Sequence, residues 1–341
     1  MAPARPVWLG LRPPRWVGRR RPMRPRARPP SHLVTQMPGV TDVSVPQPTH
    51  PKAGTRMWPW LLSLLALAAM AIYAVGLTYG AERWKAHTRE LRSQLDSART
   101  PPRQQRVDFR DLEGLPSPVQ RYFRTVLRDG QPVVRGVAMR HEGRFNMSES
   151  GARWKPFTSE QWVAPHRPGF VWNGRVAVLP GVPARVHDAY VGGEGILHAT
   201  LLGLVSVADE RGDGALAAGE LMRYLAEATW YPTALLPSQG VTWAAVDDRS
   251  ASGTLTDGGT SVTLLFTFDE RDLIDTVRAE ARGRMVGGEI VPTRWLGRYW
   301  NYEERGGMRV PLDGEVAWLP PEGEQTYWRG HITGIDYEFA P

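Results

Sequence analysis

Gly219-Glu-Leu-Met-Arg-Tyr-Leu-Ala-Glu-Ala-Thr-Trp-Tyr-Pro-Thr-Ala-Leu-Leu-Pro-Ser-Gln-Gly-Val-Thr-Trp243 is the one strong helix signal in a long strand-like run. Glu, Leu, Met, Arg and Ala favour helix, and Pro232 ends the run because its ring cannot continue one. At 100° per residue Leu221, Met222, Leu225, Ala226, Ala228 and Thr229 fall on one side. Glu220, Arg223, Tyr224, Glu227, Trp230 and Tyr231 fall on the other. The second side mixes aromatic rings with two carboxylates and a guanidinium, which is too much apolar surface for a plain solvated face. The helix therefore has two packed sides, one in a core and one lining a cavity. Glu220, Arg223, Tyr224, Glu227, Trp230 and Tyr231 are the candidate ligand-binding face.

Outward from this helix, strands dominate on both sides. Between Val137 and Met147 one face carries Val137, Met139, His141, Gly143, Phe145 and Met147, and the other Arg140, Glu142, Arg144 and Asn146. That is period-2 alternation. Similar runs cover 157–163, 169–179, 184–191 and 196–208, then 241–247, 253–257, 261–268, 273–282, 289–295, 298–303, 314–318 and 327–339. Asp257-Gly258-Gly259 marks a hairpin. A shorter helix is expected over 115–127, with Ser117 as N-cap, Pro118 at the first position and Val119, Tyr122, Phe123 and Val126 buried. So many strands interrupted by only two helices are not βαβ alternation. The expectation is a mainly β protein with two or three helices: a curved antiparallel sheet or unclosed β-barrel wrapping the central helix.

Charge divides the chain. Residues 1–56 carry 11 Lys/Arg and one acid, Asp42, so 31 of the 42 Lys/Arg and 34 of the 35 acids remain for residues 57–341, which are net −3. The basic, Pro/Arg-rich segment 1–56 reads as a disordered tail. The globular part carries no nucleic-acid footprint. Residues 57–80 contain no charge and are bracketed by Trp58 and Trp60 at one end and Tyr79 and Trp84 at the other, the pattern of a retained transmembrane helix. Residues 81–106 follow as a charge-laced juxtamembrane helix, with Trp84, Leu91 and Leu95 as its few apolar residues, and a Thr100-Pro-Pro linker. Residues 107–341 form the β-rich domain. Counting the whole basic tail places the N-terminus inside and the domain outside. Counting only the flanks, Lys52 and Arg56 against Arg83, Lys85, Arg89, Arg92 and Arg99, reverses this. The expected location is a single-pass membrane protein with an extracytoplasmic domain.

The absence of cysteine removes disulfides, thiolate nucleophiles and Cys-based metal sites. Glu220, Arg223 and Glu227 stand at i, i+3 and i+7. A hydrolase would use them as an acid–base pair with an anchoring cation. However, the two carboxylates are about 10.5 Å apart along a helix axis, beyond glycosidase pairs at ~5–9.5 Å. Arg223 bridging both acids is the competing structural reading. His141, His166, His187, His198 and His331 form neither His-x-His nor His-Glu-x-x-His, so a metal site requires tertiary assembly. His187-Asp188 and His141-Glu142 point to opposite faces of their strands. No Gly-x-Ser-x-Gly elbow occurs, and Gly192-Gly-Glu-Gly195 is a turn without the features of a phosphate loop. No catalytic residue, metal or cofactor is assigned. Trp154, Phe157, Trp162, Phe170, Trp172, Trp230, Trp243, Trp295, Tyr299, Trp300, Tyr302, Trp318, Tyr327 and Trp328 exceed what one helix and one sheet face absorb, which points to an aromatic-lined cavity.

Trp154-Lys-Pro-Phe-Thr-Ser-Glu-Gln161, Pro168-Gly-Phe-Val-Trp172, Asp188-Ala-Tyr190, Gly219 to Glu227, Trp230-Tyr-Pro-Thr-Ala-Leu-Leu-Pro237, Gly314-Glu-Val-Ala-Trp318 and Tyr327-Trp-Arg-Gly330 together resemble an uncharacterised bacterial domain-of-unknown-function family, over about 112–337. That resemblance implies no activity, cofactor or catalytic residue. The order helix, strands, helix, strands is also similar to periplasmic lipoprotein-carrier proteins, whose fold is an unclosed barrel over helices. The expectation is a membrane-anchored bacterial envelope domain that binds a lipid, a lipid-modified protein or another apolar ligand. The alternatives are a hydrolase-type enzyme using Glu220 or Glu227 with Arg223, and a structural envelope protein without ligand.

Overall fold

The computed structural model describes residues 57–148, 151–286 and 289–341; the expected disordered tail over 1–56 lies outside the described residues. The helices are α1 (Met57–Ala98), α2 (Ser117–Val126) and α3 (Ala215–Glu227). The strands are β1 (Val134–Asn146), β2 (Trp154–Ala164), β3 (Gly169–Leu179), β4 (Val182–Val191), β5 (Glu194–Leu201), β6 (Val205–Gly212), β7 (Val241–Asp247), β8 (Ser250–Asp257), β9 (Thr260–Phe268), β10 (Ile274–Val286), β11 (Glu289–Arg305), β12 (Met308–Leu319) and β13 (Gln325–Phe339).

All thirteen pair in one antiparallel sheet, in the order β6-β5-β4-β3-β2-β1-β13-β12-β11-β10-β9-β8-β7. Except for β6 and β7, strands consecutive in sequence lie side by side, and β1 pairs with β13 to join the two arms. β6 and β7 stand at the two ends of the order, so the sheet is curved but unclosed. Between them the chain runs through α3 and three short 3-10 turns, Ala228–Trp230, Pro232–Leu235 and Pro237–Gln239. α3 packs on β4 and β5 of one arm and β9 and β10 of the other, as expected for a sheet wrapped around a central helix. Its stripe of Ala217, Leu221, Leu225 and Ala226 is fully buried.

Several strands are longer than the periodicity reading, β12 beginning at Met308 and not at 314, and the organisation of elements differs from it in three places. α3 begins four residues before Gly219: Gly214, at φ +75°, turns the chain out of β6, and Ala215-Leu-Ala-Ala is strong helix former. The run 196–208 is two strands, folded at Leu202-Gly203 where both residues have positive φ. A leucine in that conformation is not a turn signal that sequence can supply. The runs 289–295 and 298–303 are one strand, β11. In α2 the expected stripe is buried, but Pro116 occupies the N-cap and no side chain caps the helix. Ser117 is its first residue. Tyr122 and Phe123 of α2 pack against Phe268 and Trp243, with ring centroids 5.6 and 6.4 Å apart.

α1 serves two environments. Along 57–80 its large side chains, Trp58, Leu61, Leu65, Ile72 and Tyr79 among them, are exposed. The helix is long and apolar enough to cross a membrane. Farther on, Trp84, Thr88, Leu91 and Leu95 form one stripe at i, i+4, i+7 and i+11, and all four are buried. Leu91 and Leu95 join Ala164, Val171, Ala189, Val191 and Ile196 in a second apolar cluster on the outer face of the sheet. Contact is closest at Gly80: a Cβ there would meet the Leu202 carbonyl oxygen at 2.2 Å, and one on Gly203 would meet the Gly80 carbonyl oxygen at 2.3 Å. The β5–β6 turn and the helix backbone touch only because both residues are glycine.

Candidate functional site

Between α3 and the inner face of the sheet lies a cavity of about 480 Å³. Its aromatic wall comes from six elements: Phe145 on β1, Trp172 on β3, Trp230 after α3, Trp295 and Tyr299 on β11, Trp318 on β12, and Tyr327 and Trp328 on β13. Trp318 and Tyr327 stack at 5.8 Å, and Trp295 Nε1 donates to Tyr327 Oη at 3.0 Å. The remaining aromatics are used elsewhere. Phe157, Phe170 and Tyr302 are core, Trp243 packs against Phe266, Trp162 lies under Arg92, and Trp300 is exposed.

The floor is polar. Arg223 pairs with Asp188 of β4 and donates from Nε to Glu227 Oε1 at 2.7 Å. Glu227 Oε2 accepts from Gln161 Nε2 at 2.6 Å. The Arg223 guanidinium also sits over Phe170 and Trp172, 4.8 and 5.4 Å from the ring centroids. Burial alone would lower the pKa of Arg223. The carboxylates of Glu227, Asp188 and Glu220 outweigh that and hold it above its ordinary value. The expected ladder, with Arg223 bridging Glu220 and Glu227, is half formed. Glu220 instead faces Arg282 of β10 at 3.6 Å. Burial, and then the nearby Asp188 charge, raise Glu220 to about 8 against the pull of Arg282 and Arg223. Its carboxyl is therefore protonated at neutral pH. Trp230 Nε1 on this wall is buried with no hydrogen-bond partner among the described residues, whereas the protonated Glu220 carboxyl lies against the Asp188 side chain. An unpaired buried donor costs about 1–3 kcal/mol, so the Trp230 indole N–H is a place for a ligand's polar acceptor.

Of the residues singled out in sequence, Glu220, Arg223, Glu227 and Trp230 line the cavity. Tyr224 and Tyr231 are fully buried beside each other, their rings 5.8 Å apart. Their hydroxyls donate to the Pro165 and Tyr224 carbonyls at 3.3 and 3.0 Å. They belong to the packed side of the helix. His141 is a core histidine, with Nδ1 3.2 Å from Ser159 Oγ, and burial followed by the Arg223 charge pushes its pKa down to about 3. His187 and Asp188 point to opposite faces as their adjacency requires: Asp188 lines the cavity, and His187 meets α1 on the outer face.

Asp188, Gln161 and Arg282 complete the floor and were not singled out as site residues by pattern. Arg282 escapes period 2 because the β10–β11 register shifts between Ala279 and Arg282. Buried positions are odd-numbered at Val277 and Ala279 and even-numbered at Arg282. A β-bulge of this kind turns a side chain inward without leaving a trace in composition.

An unclosed antiparallel barrel around one helix, with an aromatic cavity over a charged floor, defines the class. Residues 113–337 match the family of unknown function DUF6920, and the chain belongs to that family. It matches none of the curated proteins. Among solved structures it is similar to a LolA superfamily protein from Nitrosomonas europaea, with a TM-score of 0.33 and 9% identity over 74% of this chain and 94% of that one. It is also similar to a β-barrel-like DUF1849 protein from Brucella abortus, with a TM-score of 0.18 and 10% identity over 60% of this chain and 99% of that one. At such overlaps neither structure speaks to what this chain binds.

Proposed function

We propose that this protein is a membrane-anchored envelope domain that holds a lipid, or the acyl chain of a lipid-modified protein, in the cavity beside α3. The observation that carries this reading is the combination around one cavity of eight aromatic side chains with a buried, unpartnered polar atom, Trp230 Nε1. An apolar tail fits against the rings, and a polar head group fits the floor of Glu220, Arg223, Glu227, Asp188 and Arg282. A purely structural barrel would fill its interior with side chains, and this one keeps about 480 Å³ open. The apolar helix over 57–80 is the anchor in this reading, with the globular domain on the extracytoplasmic side. Titrating the full chain with a fluorescent fatty acid tests it. Val186 lines the cavity, and Val186→Trp fills part of that space. Binding weakened at least tenfold by that change supports the reading, and equal binding by both proteins refutes it.

A hydrolase-type reading using Glu220 or Glu227 with Arg223 is favoured by one observation. Glu220 is held protonated near neutral pH inside a cavity, the state a general acid needs. Loss of an activity in Glu220→Gln with an unchanged melting temperature would support chemistry. A change in melting temperature alone would support the ion-pair role.

A further inference from the structure

On the outer face of the sheet, away from the cavity, the ladder β3-β4-β5-β6 places Asn173, His187, His198 and Asp209 directly opposite one another in one cross-strand row. α1 lays Trp84, His87 and Thr88 across that row. Trp84 stacks on the His187 ring at 3.8 Å with 4° between the planes, and its Nε1 donates to Asn173 Oδ1 at 2.8 Å. His87 meets His198, Nδ1 to Nδ1, at 3.2 Å. One ring nitrogen from each of His87, His187 and His198 lies within 4.8 Å of the other two.

The protons in this cluster can be followed. Thr88 has a single hydroxyl hydrogen and donates it to the Trp84 carbonyl at 2.9 Å. Its contact with His187 Nε2 at 2.8 Å must therefore be a bond in which the Thr88 oxygen accepts and His187 Nε2–H donates. That tautomer leaves Nδ1 of His187 as a bare lone pair. This atom is buried and has no hydrogen-bond partner. Locking the far nitrogen of an imidazole to a hydroxyl, carbonyl or carboxylate is how metal-ligating histidines are oriented. The His87–His198 separation fits the same picture. Two nitrogens each ~2.0–2.1 Å from one tetrahedral ion stand about 3.3 Å apart.

We propose that His87, His187 and His198 bind a divalent transition-metal ion of the imidazole-preferring kind, Zn2+ being the representative, and that the ion clamps α1 to the outer face of the sheet. Imidazole donors suit Zn2+, Cu2+ and Ni2+ over Mg2+ or Ca2+. Three histidines leave a fourth position, which the exposed Asp209 carboxylate, next to His198 in the row, or a water fills. When the ion binds, whichever of His87 and His198 carries its proton on Nδ1 moves it to Nε2, so both rings present a lone pair and remain neutral. The site is independent of the cavity and of any ligand there.

The test uses the full chain without a polyhistidine tag, stripped by chelator and titrated with ZnCl2 by calorimetry. One equivalent per chain is expected. His87→Gln and His198→Gln each weaken it at least tenfold, and His331→Gln, whose ring pairs with Asp313 elsewhere, leaves it unchanged. X-ray absorption of the zinc-loaded wild type needs no variant and shows three imidazole nitrogens at about 2.0–2.1 Å. Absence of stoichiometric uptake, uptake indifferent to both substitutions, or an oxygen-only coordination shell overturns the proposal.

Discussion

On the cavity floor Arg223 and Glu220 of α3 each meet a side chain from a strand, Asp188 and Arg282 respectively. Arg223 finds Glu227 one turn on, as spacing predicts, and then Asp188 across the barrel, which spacing cannot predict. Glu220 finds Arg282 through a bulge. Two consequences follow at this scale. Removing Arg223 leaves Asp188 and Glu227 buried and uncompensated, so Arg223→Ala is expected to lower stability by about 3–5 kcal/mol in chemical denaturation. A loss below ~1 kcal/mol, the range of surface pairs, would show that water reaches the floor freely. Glu220 has the opposite pH signature to an ordinary ion-paired acid. Its pKa rises from 4.5 to about 8 on folding. The folded state therefore binds the extra proton between those values, and stability falls as pH rises through that window. His141, lowered from 6.5 to about 3, works the other way, losing stability as pH falls below 6.5. The two oppose each other between 4.5 and 6.5, which leaves pH 6.5–8 to Glu220. In that window the wild-type melting temperature should decline, and Glu220→Gln should flatten the decline; equal slopes would place the Glu220 proton elsewhere.

The elements themselves were largely legible. Period-2 alternation located β1 and the strands around it, and the helix stripe of α2 is buried residue for residue. The split of 196–208 was not legible, because Leu202 at φ +58° is held by what it touches. That contact is α1 at Gly80. By sequence alone Trp84, Leu91 and Leu95 are the sparse apolar residues of a juxtamembrane stalk. They are the stripe by which the helix packs on the sheet, and only the tertiary structure shows the surface that receives it. Gly203→Ala forces a Cβ into the Gly80 backbone and an L side chain into a left-handed conformation. It is expected to cost about 1–3 kcal/mol and to raise hydrogen exchange in β6 and in the helix after Gly76. Unchanged exchange in both would mean that the turn does not dock.

At the scale of the molecule, a meander of thirteen strands is built from local pairings, with one long-range join at β1–β13. Its fold class could therefore be read from alternating strands and a lone helix. The cavity could be anticipated only as an excess of aromatic residues. Which of them face it depends on curvature, bulges and the rotation of α3, none of which leaves a linear signal. Tyr224 and Tyr231 show this: on a helical wheel they belong with Glu220 and Trp230, yet both are spent in the core. In the proposed function the cavity, and not merely the exposed apolar helix over 57–80, takes up an acyl chain. Photo-crosslinking separates the two, using the full chain in lipid nanodiscs with a diazirine fatty acid and mapping the adducts by mass spectrometry. Adducts are expected on Trp172, Trp295, Trp318 or Tyr327 and disappear when unlabelled fatty acid is in excess. Adducts confined to Trp58–Tyr79 would contradict uptake by the cavity.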